Sequence, residues 1–425
     1  MKIRKLFILI SFLLTLAIGC KEDLVLDSNL TIVNTKIYDD TLVKPDYSVF
    51  KIAEDGNRMF MCYGNKNVNF YSNGAFSFIN SKTTIISTDY TGNLIWKASI
   101  PDKIEMGNIV ALENGSCLVS GSLGSRIVPE FNFGPIYLFQ FDKNGTQIAV
   151  NAAVLPASIS TDYKILNHSM QTLANGNLLI YGTYLDYTIN NGLRAFAAEF
   201  TISSAFVWAK SYIIPSDVIA NFTNIYDGVI TEDGDFYFIG EYAENENSQA
   251  LFLLRTNEVG GILVVKKFPN LNHQNISLLS SCRIIEQTSK KYTLSFYRKI
   301  TNKSVLCLYN INSIGDSLSY SEIDILNNNF STVLLPLENE KIFCLVNSFE
   351  LDYGNINEYQ VFKQANTNYL ILNSNFGIDV NSPFQTRTTD FINAACKRAD
   401  GSIANFGVVQ PRGKNYYKPQ LIIIK

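Results

Sequence analysis

Asn175-Gly176-Asn177-Leu178-Leu179-Ile180-Tyr181-Gly182 is the stretch on which the fold turns. Asn-Gly ahead of an apolar run is a strong hairpin signal, because a type I′ turn needs positive φ at its two central residues. The run Leu178–Tyr181 is β-rich and apolar on both alternations, as a strand covered on both faces must be. A glycine closing such a strand marks a bend or a close approach of another backbone.

The same order of residues recurs: Asp55-Gly56 with Gly64, Asn114-Gly115 with Gly121, Asp233-Gly234 with Gly240, and Asp400-Gly401 with Gly407. The turn glycines from Gly56 to Gly234 lie 59, 61 and 58 residues apart. Glu286–Phe296 and Leu337–Leu345 keep the polar turn and the following strand without glycine, which raises the count to seven copies. Most copies carry a second hairpin downstream, marked by Gly92, Gly145, Gly260-Gly261 or Gly315, and by Ser203–Trp208 without glycine. Two hairpins are four strands, and four-stranded sheets repeated about an axis form a β-propeller.

The last copy has three strands and ends at Gln420–Lys425, while Asn29–Ile37 has strand composition ahead of the first copy. Pairing 29–37 beside Leu421–Ile424 closes the ring and covers a bare sheet edge. The expectation is an all-β chain: a seven-bladed β-propeller of four-stranded antiparallel blades over residues 29–425, closed by its N-terminal strand. Paired β-sandwiches share the alternating short strands, but the constant two-hairpin period favours the ring.

Ahead of the propeller, Lys2, Arg4 and Lys5 precede an apolar run of 13 residues, Leu6–Ile18. That is too short to span a bilayer as a helix and suits a signal peptide over residues 1–19. Leu16-Ala17-Ile18-Gly19-Cys20 resembles the lipobox of bacterial lipoproteins. The resemblance implies that Cys20 is lipidated, that 20–28 is a linker, and that the partner is an outer membrane held through acyl chains. Lys21-Glu22-Asp23 is similar to the surface-export signal of Bacteroidetes lipoproteins, which implies display on the cell surface.

Ser87–Trp96, with Asp89, Thr91-Gly92 and Trp96, resembles the tryptophan-docking motif of quinoprotein-like propellers, and Trp208 keeps a fragment of it. Quinoprotein dehydrogenases are longer, and their cofactor floor has no visible counterpart, so no cofactor is expected.

The net charge is −3, without a basic run, so nucleic acid is an unsuitable partner. Six cysteines remain beyond Cys20; an even number permits disulfides, but their apolar strand settings read better as small buried hydrophobes. With no C-x-x-C and only His168 and His273 in different copies, neither a metal site nor a histidine-based triad is expected. Asp55, Asp89, Asp142, Asp233 and Asp400 flank turn glycines and suit turn bonding, with Glu241 grouped among the same carboxylates. Tyr71, Phe76, Phe131, Phe133 and Tyr184 sit in or beside insertions and are the candidates for an aromatic binding face.

The expected function is a non-catalytic binding or scaffold module for a protein or glycan at the outer membrane. The alternatives are a periplasm-facing assembly scaffold and, third, a glycan-active hydrolase using carboxylates at the channel mouth.

Overall fold

A computed structural model describes residues 30–425 apart from 43–44, 71–75, 101–103, 124–134, 161, 189–191, 216–221, 246–247, 269–281, 289, 301–302, 326–328, 352–361, 385–388, 412–413 and 415. The chain forms seven four-stranded antiparallel sheets. Blade 1 runs from Pro45 to Ile100, blade 2 from Ile104 to Ala153, blade 3 from Tyr163 to Tyr212 and blade 4 from Thr223 to Phe268. Blade 5 runs from Arg283 to Ile325, blade 6 from Asn329 to Phe384, and blade 7 joins Thr389–Ile424 to Ile32–Ile37. Innermost strands of neighbouring blades touch, including those of blades 7 and 1, so the ring is closed. The only helical turns among the described residues are Glu113–Gly115 and Glu338–Glu340.

Closure follows the sequence expectation. Ile32–Ile37 pairs antiparallel with Lys418–Ile424, in a register from Ile32 opposite Ile424 to Ile37 opposite Gln420. Bonds between the Thr31 and Lys425 backbones extend the pairing by one step.

The hydrophobic core is divided among seven seams, one between each pair of adjacent blades. Strand alternation explains why the second strand of each blade is apolar throughout. Leu178 and Ile180 point into the seam with blade 2, and Leu179 and Tyr181 into the seam with blade 4. Each fully buried side chain of this kind contributes about 1.5–3 kcal/mol. Cys62, Cys117, Cys282, Cys307 and Cys344 are buried, Cys396 is half-buried, and all six are free thiols.

The turns partly revise the expected geometry. Only Asn114-Gly115 and Asn339-Glu340 place two adjacent residues at positive φ. At Asn175-Gly176 only the glycine does, inside a loop closed by Gly176 N–H to the Leu173 carbonyl and Leu173 N–H to the Asn177 carbonyl. That is the three-residue hairpin with a left-handed last position. In the copies lacking the motif glycine, Lys290, Asn339 and Glu340 take the left-handed conformation instead.

The closing glycine has a different cause. Opposite it, the innermost strand carries a bulge: the register slips between Met106 and Asn108, Ile165 and Asn167, Ile225 and Asp227, and Ile392 and Ala394. A bulge pushes a carbonyl toward the facing strand. A Cβ on Gly182 would lie 2.2 Å from the Asn167 carbonyl oxygen, on Gly240 1.9 Å from that of Asn224, and on Gly407 2.0 Å from that of Phe391. Bulges also re-aim side chains, and here the extra residues Gly107, Leu166, Tyr226 and Asn393 turn toward the axis of the ring.

Trp96 and Trp208 complete the outer seams. A Cβ on Gly145 would lie 2.7 Å from the Trp96 ring, and one on Gly260 2.6 Å from the Trp208 ring. Each indole therefore lies flat across the turn glycine of the next blade, and each stacks on a phenylalanine, Phe141 or Phe236.

Two glycine substitutions separate these roles. Gly182→Ala should cost at least about 2 kcal/mol of unfolding free energy, since backbone must move to admit the methyl. Gly176→Ala, with open space and only left-handed strain, should cost about 1 kcal/mol. Urea unfolding of the two variants checks the order.

Candidate active site in the axial cavity

The innermost strands enclose a cavity of about 390 Å³ on the propeller axis. Every blade contributes to its wall, with Lys51, Asn108, His168, Tyr226, Arg283, Val333 and Asn393 coming one from each in order. The size falls within the range of small-molecule sites.

Polar side chains next to the bulges tie the blades together. Asn108 of blade 2 donates to the Met170 carbonyl and Ser169 Oγ of blade 3, at 2.8 and 3.1 Å. Asn167 donates to Asn224 Oδ1 at 3.1 Å, and Gln171 to the Gly228 carbonyl at 2.6 Å. Asp227 Oδ2 accepts the Ile284 N–H of blade 5 at 3.0 Å. These bonds fix the wall, so the cavity is a rigid feature of the ring.

Four titratable groups line it. Burial pushes the Asp227 carboxyl up, against the opposing pull of Arg283, the bonding backbone N–H groups and Lys51. Burial pushes the Lys51 ammonium down, and the Arg283 charge adds to the effect. His168 is 9 % exposed and its Nε2 has no hydrogen-bond partner. Burial, helped by the Lys51 charge, brings its pKa down to about 3, so the imidazole is neutral at physiological pH. A Cβ on Gly107 would sit 2.2 Å from Nε2, so the bulge glycine makes room for this ring.

Behind the wall, Tyr226 Oη donates to Glu241 Oε2 at 2.5 Å. Glu241 is 1 % exposed and its Oε1 is buried without a partner. Burial pushes its carboxyl up to about 7, against the bond from Tyr226. The phenol of Tyr226 is raised by burial and by the Glu241 charge.

The sequence candidates fare unevenly. Cys20, Lys21, Glu22, Asp23, Tyr71, Phe131, Phe133 and His273 lie outside the described residues, as does the side chain of Phe76. Tyr184 is a correction: it is 0 % exposed, packed edge-on against Tyr163 and Phe196, with its hydroxyl bonded to Ser211. It offers no ring to a ligand, because its strand alternation points it into the seam between blades 2 and 3. The turn role of carboxylates holds for Asp55, Asp89, Asp142 and Asp400, each accepting backbone N–H groups within its own turn. Glu241 departs from that group. Lys51, Tyr226, Asp227 and Arg283 were missed, since each comes from a different strand or stands alone in its motif. A usable signal exists: Gly107, Tyr226 and Asn393 each lie 14 residues before a closing glycine.

No family model matches the chain, and no curated protein matches it. Solved structures that resemble it include a protein of unknown function from Dyadobacter fermentans, 10% identical with a TM-score of 0.48, covering 93% of this chain and 99% of that one. The NanB sialidase of Streptococcus pneumoniae is 10% identical with a TM-score of 0.45, covering 92% and 70%. A GH43 β-xylosidase/α-arabinofuranosidase from a compost metagenome is 10% identical with a TM-score of 0.36, covering 65% and 93%. Likenesses this distant assign no reaction or substrate.

They do overturn one expectation. With a sialidase and a glycoside hydrolase among the resembling structures, the reading of this chain as a non-enzyme is withdrawn. Its premise was the absence of a catalytic motif, and a propeller assembles its axial residues from separate blades, where no motif forms. The quinoprotein-like assignment gains no support from the comparisons either.

The buried carboxyl gives a pH prediction. Glu241 favours the fold in its protonated form: that stability is fully present below the unfolded value of 4.5 and is lost as pH rises through about 7. The loss amounts to roughly 3 kcal/mol. Glu241→Gln removes it, so unfolding free energies of wild type and variant should converge toward acid and diverge, in favour of the variant, between pH 5 and 8. Parallel urea-unfolding profiles would contradict the assignment.

Proposed function

We propose that the protein is a ligand-binding propeller whose site is the axial cavity, held at an outer membrane by lipid on Cys20. The observation that supports it most is the convergence of all seven innermost strands on one enclosed, partly charged space. Repeated bulges aim side chains into that space rather than filling it with apolar packing. The guest is a small polar molecule, free or as the end of a glycan. The sequence features Leu16–Cys20 and Lys21-Glu22-Asp23 support membrane attachment and surface display.

Two experiments test this. The chain has only two histidines, so the His168 imidazole NMR signals, assigned with a His273→Gln variant, report cavity occupancy. A monosaccharide and polar-metabolite panel should shift them in wild type and leave them unmoved in Ser169→Trp, which fills the cavity. For the anchor, Cys20→Ser should move the protein from the membrane fraction to the soluble fraction.

A second reading is favoured by Asp227 and by the Tyr226–Glu241 pair. Carboxyls whose ionisation is pushed up by burial are suited to donate protons near neutral pH. Here Asp227 faces the cavity and Glu241 reaches it only through Tyr226. Glycan hydrolysis would then follow binding. Turnover of nitrophenyl glycosides that falls about a hundredfold or more in Asp227→Asn supports it, and equal rates in variant and wild type exclude it.

A further inference from the structure

We propose that the axial cavity is an anion site in which Lys51 and Arg283 hold the carboxylate or phosphate of the guest. This rests on the reading of the cavity as a ligand site and names the class of ligand.

The first support is the contrast between these cations and others of the chain. Lys97, Arg255, Lys266, Lys291, Lys341 and Lys418 each pair with an aspartate or glutamate. Lys51 and Arg283, both on the cavity wall, have no ion-pair partner among the described residues. Cations withdrawn from bulk water without a counter-charge cost the fold free energy. A guest anion offsets that cost, and an empty site pre-set in this way binds without rearrangement.

The second support is the state of the other donors. The amides of Asn108, Asn167 and Gln171 are committed to bonds between blades. Asp227, the carboxylate of the wall, is engaged by the Ile284 N–H. Hydrogen-bonding capacity toward a guest therefore resides chiefly in the Lys51 ammonium and in the Arg283 guanidinium. Of the guanidinium's donors, Nη1 is shared with the neighbouring Cys282 carbonyl. A planar guanidinium across from an ammonium suits an oxyanion better than a neutral hydroxyl. Two cations against one carboxylate leave the wall one positive charge in excess at neutral pH, while the chain as a whole carries −3. The cavity thus stands as a local inversion of the protein's field. Its volume of about 390 Å³ accommodates an acidic monosaccharide or a sugar phosphate.

Calorimetry and His168 NMR on the full chain test the proposal, with glucuronate, inorganic phosphate and glucose as probes. Glucuronate or phosphate should bind and shift the His168 signals, and glucose should do neither. Lys51→Met and Arg283→Met should each weaken the bound anion about tenfold or more, the loss expected for a charge-assisted bond. Asp227→Asn, which keeps an oxygen for the Ile284 N–H, should tighten it. Circular dichroism verifies that each variant folds, and the opposite sign at Asp227 keeps the test decisive where a methionine variant fails to fold. Preference for glucuronate over phosphate identifies a carboxylate guest, and the reverse a phosphate. If glucose shifts His168 as strongly as glucuronate, the ligand site stands and the anion class fails. If no probe shifts His168, both readings fail. Anion binding that leaves His168 unmoved, or that ignores all three substitutions, places the anion elsewhere and overturns the proposal.

Discussion

Each sheet of this protein is apolar on both faces, and neither face can be covered except by the sheet beside it. That single constraint generates the ring. Leu178 and Leu179 are adjacent in the chain yet belong to different seams, so a blade removed from its neighbours would expose both. Seven seams share the stabilisation about equally, and closing the circle leaves no terminal sheet with a bare face. Trp96 and Trp208 extend the same logic to the periphery, each lying on a glycine of the following blade.

The inner strands solve a second problem. Seven strands meeting at an axis are too far apart to pack as a core and too close to leave open water. The bulges opposite Gly182, Gly240 and Gly407 let each strand shift register next to the axis without losing its ladder. Amide and carboxylate side chains then stitch neighbouring strands together, and residues such as Tyr226 and Asn393 are left facing the space between. The chemistry of the cavity is a by-product of how the strands are kept parallel to the axis, tuned by which side chain occupies each bulge.

Repetition made the architecture legible. A requirement of the backbone, such as a left-handed turn or a missing Cβ beneath a bulged carbonyl, returns with every blade and leaves glycine at a regular interval. Even where glycine is absent, the polar turn at Lys290 or Asn339 keeps the spacing. The axial residues obey no such rule. Lys51, Asp227 and Arg283 meet through the circular closure, separated by more than a hundred residues, and each looks in sequence like an ordinary strand residue. Tyr184 shows the converse: an aromatic beside an insertion reads the same whether it faces a ligand or a seam, and only the register of its strand decides. Glu241 was grouped with the turn carboxylates for its place beside a glycine, but that glycine closes a strand and faces a bulge.

The strand Ile32–Ile37 pairs with residues that end one position before the C-terminus. The earliest part of the domain to be synthesised therefore waits for the latest before its ladder can form. Until the ribosome releases the chain, six sheets can assemble but the circle stays open and its first strand remains unmatched. Completion is thus a proofreading event: a polypeptide cut short by even a few residues lacks the partner that locks the ring, and quality control meets an exposed edge instead of a sealed disc.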